Sequence, residues 1–200
     1  MEVFHITGRA PLYTNTFLVA GSDGHAVAID PAAAAFEYEK LLDEHAVQLT
    51  AILLTHGHYD HVDAVRTLRE KTGAKVYLRA EDAKGSELFP LTAADIDVQP
   101  QDGDVIAVDD MRFTVLTTPG HSRGSVCYLC GELLFSGDTL FAGSCGRYDF
   151  EDGSYTDMKA SMAKLKAAVP ADVQVLPGHE EFSTMAAELE KNPFLNGEEA

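Results

Sequence analysis

The sequence predicts an α/β or α+β fold whose sheets are covered by helices, and three observations carry that reading. Short runs rich in β-branched and aromatic residues recur along most of the chain, separated by glycine-containing turns. Stretches with helical spacing of apolar residues are interspersed among them. Three of the apolar runs end in a histidine: AILLTH (51–56), VLTTPGH (115–121) and VQVLPGH (173–179). Such strand ends are where sheet proteins gather their active sites.

Taken in order, residues 3–7, 12–20 and 25–30 are predicted strands, with turns at Gly8 and at Gly21-Ser22-Asp23-Gly24. Residues 33–46 carry Phe36, Leu41 and Leu42 among Glu and Lys, as an amphipathic helix does. The apolar run 51–54 is the next strand. After the histidine cluster at 56–61, Val62, Val65 and Leu68 recur at helical spacing up to Gly73, a C-terminal cap, and Asp60 is placed to cap the other end. The second half repeats the style. Strands are predicted at 75–78, 105–108, 112–117, 125–130 and 132–135, and a helix at 156–168 with Thr156 as its cap. A strand at 173–176 and a helix near 183–191 follow. No low-complexity tract or long linker interrupts the chain, so a single domain over 1–200 is expected.

Composition bounds the function. With 32 acidic against 15 basic residues the net charge is −17, which disfavours phosphate backbones and hence nucleic-acid partners. Bound dications would invert that sign locally. No apolar run reaches about 18 residues, so no membrane span is expected. The N-terminal MEVFHITGRAP has no basic segment followed by an apolar one, so a cytoplasmic protein is expected. The three cysteines are read as free thiols. Cys127 and Cys130 sit inside SVCYLCGELLF and are read as strand residues rather than a zinc knuckle.

The chemistry lies in LLTHGHYDH (53–61). His56 and His58 are two apart and can face one way in an extended segment, while Asp60 and His61 start the next element and point elsewhere. One loop can thus feed two adjacent metal positions. His121 and His179 arrive from the two Pro-Gly-His segments, so five of the eight histidines belong to the set; His5, His25 and His45 are read as surface or packing residues. Asp138, in LLFSGDTLF (133–141), is a carboxylate between apolar runs. That is costly unless it is paired or metal-bound, and its two oxygens can bridge two cations. Neutral imidazoles and carboxylates suit zinc, and also iron or manganese.

T-H-G-H-Y-D-H followed by T-P-G-H, S-G-D and P-G-H resembles the metallo-β-lactamase-fold superfamily, over about residues 12–180. The resemblance implies a four-layer αβ/βα sandwich with a dinuclear site at one edge of the sheets. It implies one metal on His56, His58 and His121, a second on Asp60, His61 and His179, and Asp138 as the bridge. AGSCGRYDF (142–150) and KNPFL (191–195) are similar to segments of glyoxalase II (hydroxyacylglutathione hydrolase) and its short single-domain relatives. This implies a thioesterase acting on a small-molecule thioester through a metal-generated hydroxide, with Asp60 and Asp138 as its catalytic carboxylates and two divalent metals, zinc first, as cofactors. Arg147 and Tyr148 are expected to contact an anionic substrate, and Tyr13 and Asn15, in YTNTFLV, to face the site from a hairpin. Longer glyoxalase II chains carry basic residues for glutathione in a further helical domain; the sequence here ends at Ala200, so weak glutathione recognition is expected. The alternative within the fold is a persulfide dioxygenase with one iron on His56 or His58, His121 and Asp138.

Overall fold

Unbroken apolar runs in the first half lay down a sheet whose inner strands are buried on both faces. β1 (Glu2–Thr7), β2 (Asn15–Ala20) and β3 (His25–Ile29) are antiparallel neighbours. α1 (Ala35–His45) leads from β3 to β4 (Gln48–Leu53), and α2 (Val65–Thr72) leads on to β5 (Lys75–Tyr77), so β3, β4 and β5 run parallel. The structure is a computed structural model and describes residues 1–197; residues 198–200, the end of the predicted 1–200 domain, lie outside the described residues.

The second half builds a six-stranded sheet in the order β13-β12-β9-β8-β7-β6. β6 (Val105–Val108), β7 (Met111–Thr117), β8 (Val126–Cys130) and β9 (Leu133–Gly137) form an antiparallel meander. A small hairpin, β10 (Leu140–Phe141) and β11 (Ser144–Cys145), precedes α3 (Tyr155–Ala168). β12 (Gln174–Pro177) then inserts parallel to β9, and β13 (Ser183–Thr184), α4 (Met185–Lys191) and α5 (Pro193–Asn196) follow.

The period of two along the strands sorts the core into layers. Phe17, Val19, Ile29 and Leu53 of the first sheet meet Phe113, Val115, Tyr128 and Phe135 of the second in one cluster between the sheets. The alternate residues Leu18, Ala28 and Ile52 lie beneath Tyr38, Leu42, Val65 and Leu68 of α1 and α2. On the other side, Cys127, Leu134 and Val175 pack against Met158, Met162, Leu165 and Met185 of α3 and α4. The order is helices, sheet, sheet, helices. Cys127 and Cys130, three apart on β8, fall on opposite faces of its sheet, and both are free thiols. No helix among the described residues is long and apolar enough to cross a membrane.

Two predicted caps are corrected. α3 starts one residue earlier than expected, with Ser154 Oγ accepting from the Asp157 N–H, so Thr156 is inside the helix rather than its cap. α2 starts only at Val65 and has no side-chain cap; Tyr59–His61 form a separate 3₁₀ turn. That turn frees the Asp60 carboxylate from capping duty and aims it across the sheet edge. At the other end Gly73 caps α2 as expected, at φ +73°.

Candidate metal centre

Parallel strands end on the same edge, and here four such ends converge. β3 delivers Asp30, β4 the loop 55–61, β9 Asp138 and β12 the Gly178-His179 pair. In the first loop the extended backbone turns His56 and His58 inward, where they meet His121: His58 Nδ1 lies 3.0 Å from His56 Nε2 and 2.9 Å from His121 Nε2. The 3₁₀ turn then points Asp60 and His61 at His179. His61 Nε2 is 3.3 Å, and Asp60 Oδ2 3.2 Å, from His179 Nε2. Asp138 stands between the groups, 3.4 Å from His61, 3.5 Å from His121 and 3.5 Å from His179. The ligand-type atoms fall into sets each small enough for one ion, namely His56, His58, His121 and Asp60, His61, His179. Asp30 with His56 and His61 makes an overlapping third set.

Glycine makes this approach possible. A Cβ on Gly178 would sit 2.4 Å from Asp138 Oδ1 and 2.6 Å from His61 Cε1, so no other residue lets the Pro-Gly-His loop come this close.

The donor set fits metal cations. Outward hydrogen bonds occupy the Nδ1 atoms of four imidazoles. His121 donates to the Arg147 carbonyl (2.7 Å), His179 to the Leu12 carbonyl (3.2 Å) and His61 to Asp30 Oδ2 (3.0 Å). Thr55 Oγ1 donates to Asp30 at 2.5 Å and so accepts from His56 Nδ1 at 3.1 Å. Each ring therefore turns an Nε2 lone pair inward, towards carboxylates that also only accept. His58 Nε2 and Asp138 Oδ1 are buried without a hydrogen-bond partner. A converging group of acceptors with no donor among them calls for positive charge at its centre.

Without a bound cation, burial and the carboxylates pull the imidazoles in opposite directions. Burial, reinforced by the surrounding imidazoles, holds His56 well below its ordinary pKa and pushes His58 down to about 3, so both stay neutral. Burial acts the same way on His61, but Asp138 and Asp30 outweigh it and raise the imidazole well above its usual value. His179 is raised likewise, chiefly by Asp60. Burial would raise Asp60 and Asp138, yet the facing histidines hold both below the usual carboxylate range.

Two supporting carboxylates have no counterpart among the sequence expectations. Asp30 is 2% exposed and accepts from Thr55 N (2.7 Å) as well as from Thr55 Oγ1 and His61. Its signal, a lone aspartate ending VAID before proline, reads as an ordinary turn. Asp82 is fully buried in a 3₁₀ turn after β5. It accepts from Gly57 N (3.1 Å), Gly124 N (2.9 Å) and Ser122 Oγ (2.6 Å), so it ties the His58 loop to the His121 loop. Burial raises its pKa against the pull of those bonds.

A cavity of about 430 Å³ opens over the cluster, with Leu12, Tyr59, Leu88, Phe141, Arg147 and Phe150 in its walls. Arg147 reaches it, exposed, paired with Asp149 (2.9 and 3.1 Å) and lying 4.4 Å over the Phe150 ring. Tyr148 does not line it: the ring packs on Tyr155 at 5.2 Å and on the helical layer beyond the second sheet. Tyr13 is 59% exposed, and its neighbours Leu12 and Thr14 take the cleft positions instead. Asn15 is buried behind the site, where its amide donates to the Pro177 (3.1 Å) and Glu180 (3.0 Å) carbonyls and so braces the His179 loop. A larger, open depression of about 610 Å³ lies between the ends of α1 and α2, far from any of these histidines.

Residues 9–179 match the family described as the Metallo-beta-lactamase superfamily. The chain belongs to that superfamily. It is 30% identical over 196 residues to the hydroxyacylglutathione hydrolase GloC of Haemophilus influenzae, covering 91% of this chain and 92% of that one. Among solved structures it is similar to the BLEG-1 B3 metallo-beta-lactamase, with TM-score 0.87, 32% identity and coverage of 98% and 100%. It is also similar to TTHA1623 in a di-iron-bound form, with TM-score 0.82, 34% identity and coverage of 96% and 99%. Superfamily membership and the convergent donor set make this a metallo-hydrolase fold with its metal-binding apparatus present.

Proposed function

We propose that the protein is a metal-dependent thioester hydrolase of the glyoxalase II type, working as one domain on small S-acyl thiols. The observation that carries the reading is the pair of ligand sets with Asp138 standing between them. On this reading His56, His58 and His121 would hold one divalent metal and Asp60, His61 and His179 the other, with Asp138 standing between them and able to serve both. Zinc suits the nitrogen-rich set first; iron and manganese suit it too. When bound, the metals supply a hydroxide nucleophile near neutral pH and a Lewis acid for the carbonyl.

The chain's own residues do the rest. Asp30 fixes the tautomer of His61, and the Arg147 carbonyl fixes that of His121. Asp60, in the cavity wall beside His179, would orient that nucleophile. The titratable groups of the cavity wall outside the ligand set are Tyr59, Arg147 and Glu180, none of them needed as an acid when the leaving group is a thiolate, whose thiol has a pKa of about 8.5. Likeness to GloC supports the same class. Arg147 is the one Lys or Arg of that wall and is already paired with Asp149, so weak recognition of glutathione is expected.

The test pairs elemental analysis with kinetics on the same preparation. About two metals per chain are expected, and lactoyl thioesters of glutathione and of a small neutral thiol are both hydrolysed, differing in kcat/KM by less than about 100-fold, or about 2.7 kcal/mol. A single iron per chain, with oxygen consumed on glutathione persulfide and no thioester cleaved, overturns the proposal.

A further inference from the structure

The cleft over the histidines continues into a second recess of about 170 Å³. Leu12, Tyr59 and Asp60 form a wall common to both spaces. Asp60 brings the recess to the edge of the ligand cluster, because the same carboxylate faces His179 Nε2. Much of the remaining wall is aliphatic, from Ala10, Pro11 and Ala32. Arg9 and Asp63 add an ion pair at 3.4 Å.

We propose, resting on the thioesterase reading, that this recess is the acyl subsite and selects short, uncharged acyl groups. Size is the first argument. The recess, at about 170 Å³, is less than half the size of the adjoining cavity of about 430 Å³, so the smaller part of the substrate fits the recess and the bulkier part the cavity. The carrier therefore belongs to the larger cavity, whose wall holds Arg147 and the aromatic rings. Charge is the second. Arg9, the one guanidinium of the recess, is already paired with Asp63, so an acyl group ending in its own carboxylate finds no unpaired cationic side chain there. The aliphatic wall is the third: each methylene buried there strengthens binding about fourfold, until the space is full.

The experiment uses the metal-replete chain and four thioesters of one small neutral thiol: acetyl, butyryl, octanoyl and succinyl. kcat/KM is expected to rise at least fivefold from acetyl to butyryl, and to fall at least tenfold from butyryl to octanoyl and from butyryl to succinyl. Ala32→Leu fills the recess and lowers the butyryl-to-acetyl ratio at least fivefold. Should that buried substitution cost folding, Leu12→Ala decides the matter from the other wall. It keeps the backbone carbonyl that accepts from His179 and is expected to shrink the octanoyl penalty at least threefold. A flat chain-length profile, a preference for succinyl, or a profile that neither variant moves overturns the acyl subsite while leaving the thioesterase standing. Failure to cleave any of the four overturns both.

Discussion

The two proposed metal positions draw on one loop yet differ in kind. His56, His58 and His121 are all buried and offer only nitrogen. Asp60, His61 and His179 include a carboxylate, and two of the three remain partly open to solvent, Asp60 at 15% and His179 at 19%. Burial keeps His56 and His58 neutral, whereas neighbouring carboxylates hold His61 and His179 high. The difference comes from the backbone. His-x-His is extended, while Asp60 and His61 sit in a 3₁₀ turn; both sets border the cavity, through His58 and His121 on one side and Asp60 and His179 on the other, and His61 is fully buried. On the proposed reading the more buried set should hold its metal more firmly and the partly open set should exchange it more readily.

The largest effect is expected where the positions meet. Asp138→Ala removes the shared carboxylate and leaves facing imidazoles without their counter-charge, so activity should fall at least about 10³-fold and both metals should be lost, with circular dichroism little changed. Full metal occupancy in that variant would break the picture of a shared bridge. Next in size is Asp60→Ala. It should weaken one equivalent by more than about 100-fold, since even outer ligands' partners cost 10–100-fold, and leave the other equivalent resistant to a weak chelator. Equal weakening of both equivalents would erase the asymmetry between the two positions.

The smallest effect sharpens the comparison as a control. Asp95, on the far side of α2, accepts two bonds from Arg66 at 2.9 Å each, and that guanidinium holds its carboxyl well below the usual range. A folded pKa depressed in this way contributes stability that is complete above the unfolded value, about 3.9, and is lost as pH falls through the folded one. Arg66 is 57% exposed, so the contribution is screened to about 1 kcal/mol or less. Asp95→Asn should lower stability by that amount at pH 7, with the gap to wild type closing below about pH 4, and change neither metal content nor kcat/KM. Any loss of metal would mean that removing a carboxylate anywhere disturbs the site.

What the sequence discloses depends on how local the signal is. His56, His58, Asp60 and His61 lie in six residues, and apolar runs announce Asp138, His121 and His179, so the convergent cluster is legible in the order of residues alone. The layers come from the family resemblance, and the unbroken apolar runs in NTFLVA and HAVAI agree with it, since strands buried on both faces read that way. Asp30 and Asp82 are not legible, because their partners lie 31 and 42 residues away and nothing local distinguishes them from turn residues. Tyr148 illustrates the converse. Its place next to Arg147 suggests a shared task, but successive residues of an irregular segment face different ways, and its ring goes to Tyr155 instead. The caps fail for a comparable reason, since Ser154 and Thr156 are equally good acceptors by type and only the path of the chain into α3 chooses between them.

Asp82 has a consequence for motion as well as for position. The amides of Gly57 and Gly124 end on one buried carboxylate, so neither can reach water unless the two loops part. Their exchange with solvent deuterium therefore reports a single cooperative opening of the loops that carry His58 and His121, rather than independent fraying of each. The pair forms a built-in clock for that opening, readable whether or not any substrate is present.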